Sequence, residues 1–468
     1  MPVFFKRKFV ESQSNSLTDP VLLWLTGGPG CSGLFALFTE IGPYFIAENG
    51  SGLVKNPYAW SQVVNLLVFE SPIGVGFSDV LKEDLILDDN TTAIGHLEAL
   101  LDFYQQFPQY KKNDLYLAGE SYAGMYIPFL VEKLFNDEYN GKIKVKGIIV
   151  GNAFVDVDLW LSTIIPFAYY HGFVDESAFV TSSNSHCSLW RNAVKACCND
   201  SSLDCYFDNG HQFCEYFATA VREDVWNGPM YRYSMYAGCS DEDLIPKQQS
   251  KKRRSLKFVT GWLICNAIDA VTAYFNREDI QQAMFPDRNH TRWYACSRHY
   301  GNVHQQLQLA LDNGILVLMY YGNTDLMCNF LIGEKFAYRL GYKVTLPKRS
   351  FFVADKLGGF KTRYGNLELV VVQGAGHMVP SERPEVALHL LKDFINQTFA
   401  TTYIKTNNVI DWNKESWLKR KLDAADNRFV EATTPGSASG SRSDDNTYLW
   451  LFLLVTDAVI WIELFVDL

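Results

Sequence analysis

Short, uninterrupted apolar runs recur along most of the chain, and amphipathic or polar stretches separate them. The runs are residues 20–26, 63–69, 115–118, 143–150, 315–321 and 367–372. Continuous apolar runs of this length are typical of strands that are buried on both faces, as in parallel sheets. Helix-compatible stretches predict helices at residues 91–106, 125–134 and 384–399. The alternation therefore predicts an α/β fold with a mostly parallel central sheet and flanking helices.

A different pattern fills residues 156–265, where aromatic, cysteine and polar residues dominate without a clear strand run. We therefore expect an inserted cap between a first part of the core at 1–155 and a second part at 266–400. Residues 401–468 form a linker and an apolar tail. Within the cap, the basic stretch 247–254 is either an exposed, protease-sensitive loop or an ordinary solvated loop.

Glycine-rich loops follow the first two apolar runs. Residues 27–33 read GGPGCSG, without the Lys-Ser/Thr pair that a phosphate-binding loop requires. Residues 70–78 read ESPIGVGFS and do not complete a dinucleotide-binding fingerprint. The first loop is then either a source of a backbone N–H donor for an oxyanion or a plain tight turn.

Residues 115–126 (LYLAGESYAGMY) combine a strand, a turn of small residues around Ser121, and a helix. This is the local form of a nucleophile elbow, in which a sharp turn exposes the serine hydroxyl at a helix start. The backbone N–H of Tyr122 would face a developing oxyanion there. The pattern departs from G-x-S-x-G at its last position, where Ala123 stands. A helix-capping serine explains the same residues equally well.

An aspartate and a histidine each follow a later strand run. Asp325 lies in GNTDLMCN at residues 322–329, and His377 lies in QGAGHMVP at residues 373–380. Both come just beyond the carboxyl end of a predicted strand. The order Ser121, Asp325, His377 is the order found in α/β-hydrolases.

Composition narrows the class of protein and its compartment. The chain has 468 residues, of which 48% are hydrophobic and 20% charged, as in a folded globular protein. A net charge of −10 argues against a nucleic-acid-binding surface. The ten cysteines form no C-x-x-C pair, which argues against zinc or thioredoxin-like sites. Together with glycosylation sequons they favour an oxidising secretory compartment; the sequons begin at Asn49, Asn90, Asn199, Asn289 and Asn396.

The two ends of the chain raise separate questions. Residues 1–10 lack the apolar core and cleavage site of a secretory leader, so we expect that the native leader and first edge strands are absent here. Residues 432–446 predict a polar linker. Residues 448–468 are apolar and long enough to span a bilayer, although Asp457 is costly to insert. A membrane span, a lipid-anchor signal and a non-native C-terminus are the alternatives.

Five motifs taken together resemble the serine carboxypeptidase family. They are WLTGGPGCSG at 24–33, ESPIGVGFS at 70–78, LAGESYAGMYIP at 117–128, YYGNTDLMCN at 320–329 and GAGHMVPSERP at 374–384. The resemblance covers the chain from about residue 10 to residue 399. It implies an α/β-hydrolase fold with an inserted cap, and a serine-type carboxypeptidase that works best at acidic pH without a metal or cofactor.

The same resemblance assigns roles to residues of this chain. Ser121 matches the nucleophile, His377 the general base, and Asp325 the group that orients the imidazole. The backbone N–H groups of Gly28 and Tyr122 match the oxyanion hole. The reaction implied is removal of C-terminal amino acids through an acyl-enzyme.

A further set of residues matches the family's substrate-binding positions. Glu40 and Glu120 would bind the free C-terminal carboxylate, which requires protons to be shared among the carboxyl groups. Thr26 is a departure, because many members have Asn there, and it would weaken or rearrange this site. Three residues match the pocket for the leaving amino acid, although core packing explains them equally well: Trp24, Cys328 and Met378.

The resemblance also implies a disulfide pattern, a location and a partner. The disulfides would be Cys31–Cys296, Cys197–Cys214, Cys198–Cys205 and Cys239–Cys265. The location would be lysosomal or secreted, the partners would be the C-termini of peptides or proteins, and homodimer formation is left open. The alternatives are ester hydrolysis or acyl transfer on the same scaffold, or a non-catalytic protective or binding role.

Overall fold

The computed structural model describes residues 6–47, 50–78, 88–135, 143–173, 231–237, 267–284 and 302–396. All of them belong to the first of two units of the chain, Met1–Val409. Several predictions lie outside the described residues: the basic stretch 247–254, the segment 401–468, the sequons at Asn49, Asn199 and Asn289, and at least one cysteine of each predicted disulfide.

Eleven strands occur in the described part of the chain. They are β1 (Arg7–Val10), β2 (Val21–Thr26), β3 (Tyr44–Ile46), β4 (Leu53–Lys55), β5 (Asn65–Phe69), β6 (Leu115–Glu120), β7 (Val145–Gly151), β8 (Leu316–Gly322), β9 (Val344–Val353), β10 (Lys356–Tyr364) and β11 (Leu367–Val372). Nine of them form one sheet in the order β1-β5-β2-β6-β7-β8-β11-β10-β9, while β3 and β4 pair separately. The six central strands from β5 to β11 run parallel, and β1, β10 and β9 are antiparallel additions at the two edges. The predicted mostly parallel sheet is confirmed.

Helices connect the strands. Those described are α1 (Gly33–Thr39), α2 (Asp89–Gln106), α3 (Ala123–Leu134), α4 (Val157–Tyr170), α5 (Ala267–Phe275), α6 (Glu278–Met284), α7 (His304–Asp312), α8 (Phe330–Arg339), α9 (Val379–Glu382) and α10 (Pro384–Ile395), with 3₁₀ turns at Trp60–Gln62 and Pro108–Lys112. The ends of α2 follow from its flanking residues. The Asp88 side chain accepts a hydrogen bond from the Thr91 N–H at its start, and Pro108 follows its end.

Two layers of helices cover the two faces of the sheet. Successive side chains of a strand point to opposite faces, so Leu23 and Leu25 of β2 join one hydrophobic cluster while Leu22 and Trp24 join the other. The first cluster includes buried residues of α2, α3, α7 and α8, and the second includes those of α1, α5 and α10. Burial on both faces explains why these strands read as continuous apolar runs.

The hairpin of β9 and β10 was not predicted. Its first strand carries a proline and charged residues and is an edge strand, where Pro347 is tolerated. Its turn residues Ala354 and Asp355 both have positive φ, which is the geometry of a tight hairpin turn but not its usual Asn-Gly sequence. The apolar-run criterion therefore missed both strands.

Two predicted features of the surface fall on described residues. Asn90, in the first turn of α2, and Asn396, at the end of α10, are both exposed, as glycosylation would require. Among the described residues, no helix combines the length and the apolar character needed to cross a bilayer.

Gly119 tests how tightly the sheet packs beneath the elbow. An added Cβ there would collide with the Leu25 carbonyl oxygen and lie 2.6 Å from the Ala123 Cβ. We expect Gly119→Ala to lower the free energy of unfolding by about 1–3 kcal/mol, measured by urea titration, because backbone atoms must move. Gly52→Ala is the control, since nothing lies within 4 Å of a Cβ there. Equal losses in both variants would contradict the packing argument.

Candidate active site

The turn that carries Ser121 has the strained geometry of an elbow. Ser121 joins β6 to α3 with a φ of +63°, which is unfavourable for a residue other than glycine. Its N–H donates to the Gly151 carbonyl at 3.0 Å, and its own carbonyl accepts from the N–H groups of Gly124 and Phe154 at 2.9 Å. These bonds to α3 and to the end of β7 hold the strained residue in place.

The glycine-rich loop after β2 lies directly against this turn. A Cβ on Gly27 would lie 2.7 Å from the Ser121 Cβ and would collide with the Tyr122 backbone nitrogen. Only glycine allows the two loops to approach this closely. The next residue, Gly28, is exposed, and Tyr122 precedes the first residue of α3. The two residues predicted to form an oxyanion hole therefore lie on adjoining loops.

Asp325 is fully buried in the loop after β8 and accepts hydrogen bonds on both carboxylate oxygens. Oδ2 accepts from Asn152 Nδ2 at 2.8 Å and from the Cys328 N–H at 3.1 Å, and Oδ1 accepts from the Met327 N–H at 2.9 Å. Oδ2 also lies 2.7 Å from His377 Nδ1. These donors satisfy a buried carboxylate, which would otherwise be costly.

The imidazole of His377 is buried and has a defined tautomer. A carboxylate only accepts hydrogen bonds, so Nδ1 of His377 carries the proton that Asp325 receives. Nε2 then has a lone pair available for a proton. The backbone N–H of His377 donates to the Tyr233 carbonyl at 2.6 Å, and the two rings pack edge to face with centroids 5.1 Å apart.

Ser121 also lies at the carboxyl ends of the strands, but its position relative to the histidine is less direct. In the described part of the chain no direct hydrogen bond joins the Ser121 hydroxyl to His377, and such bonds often tighten only when substrate is bound. The thiol of Cys328 is the near neighbour of this hydroxyl. Burial raises the pKa of Cys328 well above its usual value, and hydrogen bonding with Ser121 opposes the shift only in part.

Glu40 and Glu120 form a buried carboxyl pair beside the elbow. Both are almost inaccessible to solvent, and both oxygens of Glu40 and Oε2 of Glu120 have no hydrogen-bond donor among the described residues when the groups are ionised. Burial raises the pKa of Glu40 to about 7. Burial and the neighbouring Glu40 raise the pKa of Glu120 well above its usual value. The contact is favourable only when the two groups share a proton, because two buried carboxylates repel.

Of the remaining predicted binding residues, Thr26 lies directly beside this pair. Thr26 is paired in register with Glu120 on the neighbouring strand, and its hydroxyl accepts a hydrogen bond from Trp24 Nε1 at 3.0 Å. Trp24 itself is fully buried against Trp60, which is the core-packing alternative. Met378 packs on Tyr231.

Sequence reasoning missed four residues of this site. Asn152 holds Asp325, and Tyr233 contacts His377. The buried Tyr320 and the partly buried Glu382 lie within electrostatic range of Glu40 and Glu120. Asn152 had a detectable signal, since it directly follows the carboxyl end of a predicted strand. Tyr233 belongs to a region without any strand or helix pattern, so no signal pointed to it.

Comparison with known proteins identifies the family of this chain. The model of the family described as serine carboxypeptidase matches residues 3–397. The chain belongs to the serine carboxypeptidase family. It is 32% identical to the lysosomal protective protein of Mus musculus over 426 residues, which is 83% of this chain and 87% of that protein. It is 31% identical to serine carboxypeptidase S10 family member 1 of Dictyostelium discoideum over 403 residues, 83% and 89% of the two chains.

A solved structure supports the fold. The prohormone-processing carboxypeptidase KEX1(delta)p of Saccharomyces cerevisiae superposes with a TM-score of 0.66 at 21% identity, covering 84% of this chain and 87% of that one. The predicted α/β-hydrolase fold and the predicted serine-type carboxypeptidase are confirmed. This serine carboxypeptidase is therefore a hydrolase with peptide substrates.

Asn152 provides a test of how Asp325 is held. Asn152→Gly removes the donor to Asp325 Oδ2 and the acceptor of the Gly322 N–H, and glycine tolerates the φ of +40°. We expect the free energy of unfolding in urea to fall by about 1–3 kcal/mol, since buried polar groups lose partners. Asn313→Ala, which removes an exposed bond to the Leu309 carbonyl, is the control and should cost less than about 1 kcal/mol. An unchanged stability of Asn152→Gly would refute this role.

Proposed function

We propose that this serine carboxypeptidase removes the last residue of peptides and proteins, with Ser121 as nucleophile, His377 as base and Asp325 as the group that orients His377. The observation that carries the proposal is the buried Glu40–Glu120 pair beside the elbow. A serine, histidine and aspartate would serve any acyl transfer, whereas a proton-sharing carboxyl pair is suited to a free C-terminal carboxylate.

The chemical steps follow from the proton positions. Nδ1 of His377 holds its proton against Asp325, so Nε2 accepts the proton of Ser121 as Oγ attacks the carbonyl carbon of the last peptide bond. The tetrahedral oxyanion receives hydrogen bonds from the N–H groups of Gly28 and Tyr122. The C–N bond then breaks, and His377 gives its proton to the departing amine. A water molecule hydrolyses the acyl-enzyme by the same sequence of proton transfers.

Recognition of the substrate carboxylate depends on protonated groups. Below about pH 7 Glu40 and Glu120 both hold protons that they can donate to the substrate carboxylate. The Thr26 hydroxyl accepts from Trp24, so its own proton is free for another acceptor. Above that pH Glu40 becomes negative and repels the substrate. This supports a preference for acidic pH.

The leaving amino acid would lie near residues that border this region. Cys328 is next to the Ser121 hydroxyl, and Met378 follows His377 in the chain. Both side chains are apolar enough to favour a leaving amino acid whose own side chain is uncharged. Trp24 contributes only through its bond to Thr26, because its own surface is fully buried.

Location and assembly belong to the same proposal. A lysosomal or secreted location is supported by the similarity to a lysosomal protective protein and by the exposed Asn90 and Asn396. We also propose that residues 156–265 form a cap over the elbow, since the described segment 231–237 contacts His377. Homodimer formation and membrane attachment through residues 448–468 are two further proposals. Sedimentation tests the first, and membrane flotation tests the second.

Ser121→Ala tests the proposed nucleophile. Purified protein is incubated with blocked dipeptides and with matched esters at pH 4–7, and the released amino acid is quantified. We expect release to fall by a factor on the order of 10⁴ or more in Ser121→Ala, because Oγ cannot be replaced by water. Release that persists in the variant refutes the assignment. Turnover of esters without cleavage of peptides would favour an esterase or acyltransferase.

Glu40→Gln tests how the C-terminus is recognised. In the native protein KM for a blocked dipeptide should rise about tenfold per pH unit above pH 7, as Glu40 loses its proton. Gln cannot ionise, so the rise should disappear in Glu40→Gln. Glu385→Gln, at an exposed position of α10, is the control and should keep the native profile. The same steep rise in Glu40→Gln would exclude Glu40 as its cause.

A further inference from the structure

Residues 231–237 pair with both loops that carry the predicted base and its aspartate. The Tyr233 carbonyl accepts from the His377 N–H at 2.6 Å. On the other loop, the Met235 N–H donates to the Thr324 carbonyl at 3.0 Å, and the Leu326 N–H donates to the Arg232 carbonyl at 3.0 Å. These three bonds join the segment, the Asp325 loop and the His377 loop into one unit.

One side-chain hydrogen bond reinforces this unit. The Ser234 hydroxyl donates to Glu382 Oε2 at 2.8 Å. Glu382 lies at the end of α9, which begins two residues after His377. Gly376, the residue before His377, is closely packed. A Cβ added to Gly376 would lie 2.6 Å from both the Ser234 Cβ and Glu382 Oε1. The His377 loop is therefore packed closely against Ser234 and Glu382 at this point.

Glu382 is a largely buried carboxyl that lies among other acidic groups. It forms no salt bridge among the described residues, and hydrogen bonds from the Ser234 hydroxyl and the Gly376 N–H are its stabilising polar contacts there. Burial raises its pKa to about 7. The charged and titratable groups that face it are Asp325, His377, Glu40 and Glu120. Burying a carboxyl among other acids is costly, so a specific contact has to offset that cost.

We propose that Ser234 and Glu382 form a latch that holds residues 231–237 on the His377 loop and thereby fixes the imidazole against Asp325. Both are positioning residues, because they act on His377 through the backbone and the Tyr233 ring rather than on the substrate. This inference rests on the proposed role of His377 as the base. The edge-to-face contact of Tyr233 with the imidazole transmits the position of the segment to the ring.

The latch works through the hydrogen bond and not through the charge of Glu382. A protonated carboxyl still accepts from the Ser234 hydroxyl with its carbonyl oxygen. The amide oxygen of a glutamine at position 382 does the same at nearly the same size. The proposal therefore separates Glu382→Gln, which keeps the acceptor, from Glu382→Ala, which removes it.

The experiment compares Ser234→Ala, Glu382→Ala, the double variant and Glu382→Gln in the full chain. We measure kcat and KM for a blocked dipeptide from pH 5 to pH 8, and the rate at which a fluorophosphonate modifies Ser121. We expect Ser234→Ala and Glu382→Ala each to lower kcat and the labelling rate on the order of 10- to 100-fold, with KM changed less than about threefold, because the imidazole is misplaced. The double variant should be no worse than either one. Glu382→Gln should retain most of the native kcat, because it keeps the hydrogen-bond acceptor for Ser234.

Ser12→Ala is the matched control, since it removes a serine–carboxylate hydrogen bond, to Asp19, far along the chain from the site. Circular dichroism checks that each variant folds, and if Glu382→Ala does not, Ser234→Ala and Glu382→Gln decide. Native kcat in Ser234→Ala overturns the latch, and so do effects that multiply in the double variant. A Glu382→Gln variant as impaired as Glu382→Ala would assign the effect to charge and overturn it too. Any of these results with Ser121-dependent activity intact refutes the latch alone.

Discussion

The site depends on parallel strands whose carboxyl ends are aligned in register. Thr26 of β2 lies beside Glu120 of β6, which lies beside Gly151 of β7, which lies beside Tyr320 of β8. Each of these strands ends shortly after this row, so the loops that follow them meet at the carboxyl ends of the strands. Because the hydrogen-bond ladder fixes the row, Ser121 reaches its neighbours through backbone geometry rather than through flexible side chains.

The loops that meet at the carboxyl ends of the strands bring several acidic side chains together. The hydrogen-bond donors around each carboxyl group determine whether it carries a charge or a proton. Asp325 accepts from two side chains and two backbone N–H groups, so it is suited to carry a charge beside His377. Within the described residues, both oxygens of Glu40 and one oxygen of Glu120 lack such a donor, so this pair must keep a proton between its two carboxyl groups. The same chemical group thus orients a base at one position and recognises a carboxylate at another.

The sequence predicted the parts of the fold whose signal is local. All six buried strands were found because burial on both faces leaves an uninterrupted apolar run, and the small residues around Ser121 indicated the tight turn there. The β9–β10 hairpin was missed because an edge strand tolerates Pro347 and charges. Asn152 was visible as the end of a strand, but its bond to Asp325 joins residues 173 positions apart, and no local pattern encodes such a pairing.

The segment 231–237 shows the limit of that reasoning most clearly. Its contacts are made by backbone groups, which are the same for every residue type, and by Ser234 and Glu382, two common polar residues 148 positions apart. A motif search finds His377 but not what keeps its ring still. Since proton transfer is sensitive to displacements of about 1 Å, residues that hold the base in place also affect the rate, although they do not touch the substrate. In the proposed latch, the cost of partly burying the Glu382 carboxyl is offset by the order that it gives to the base.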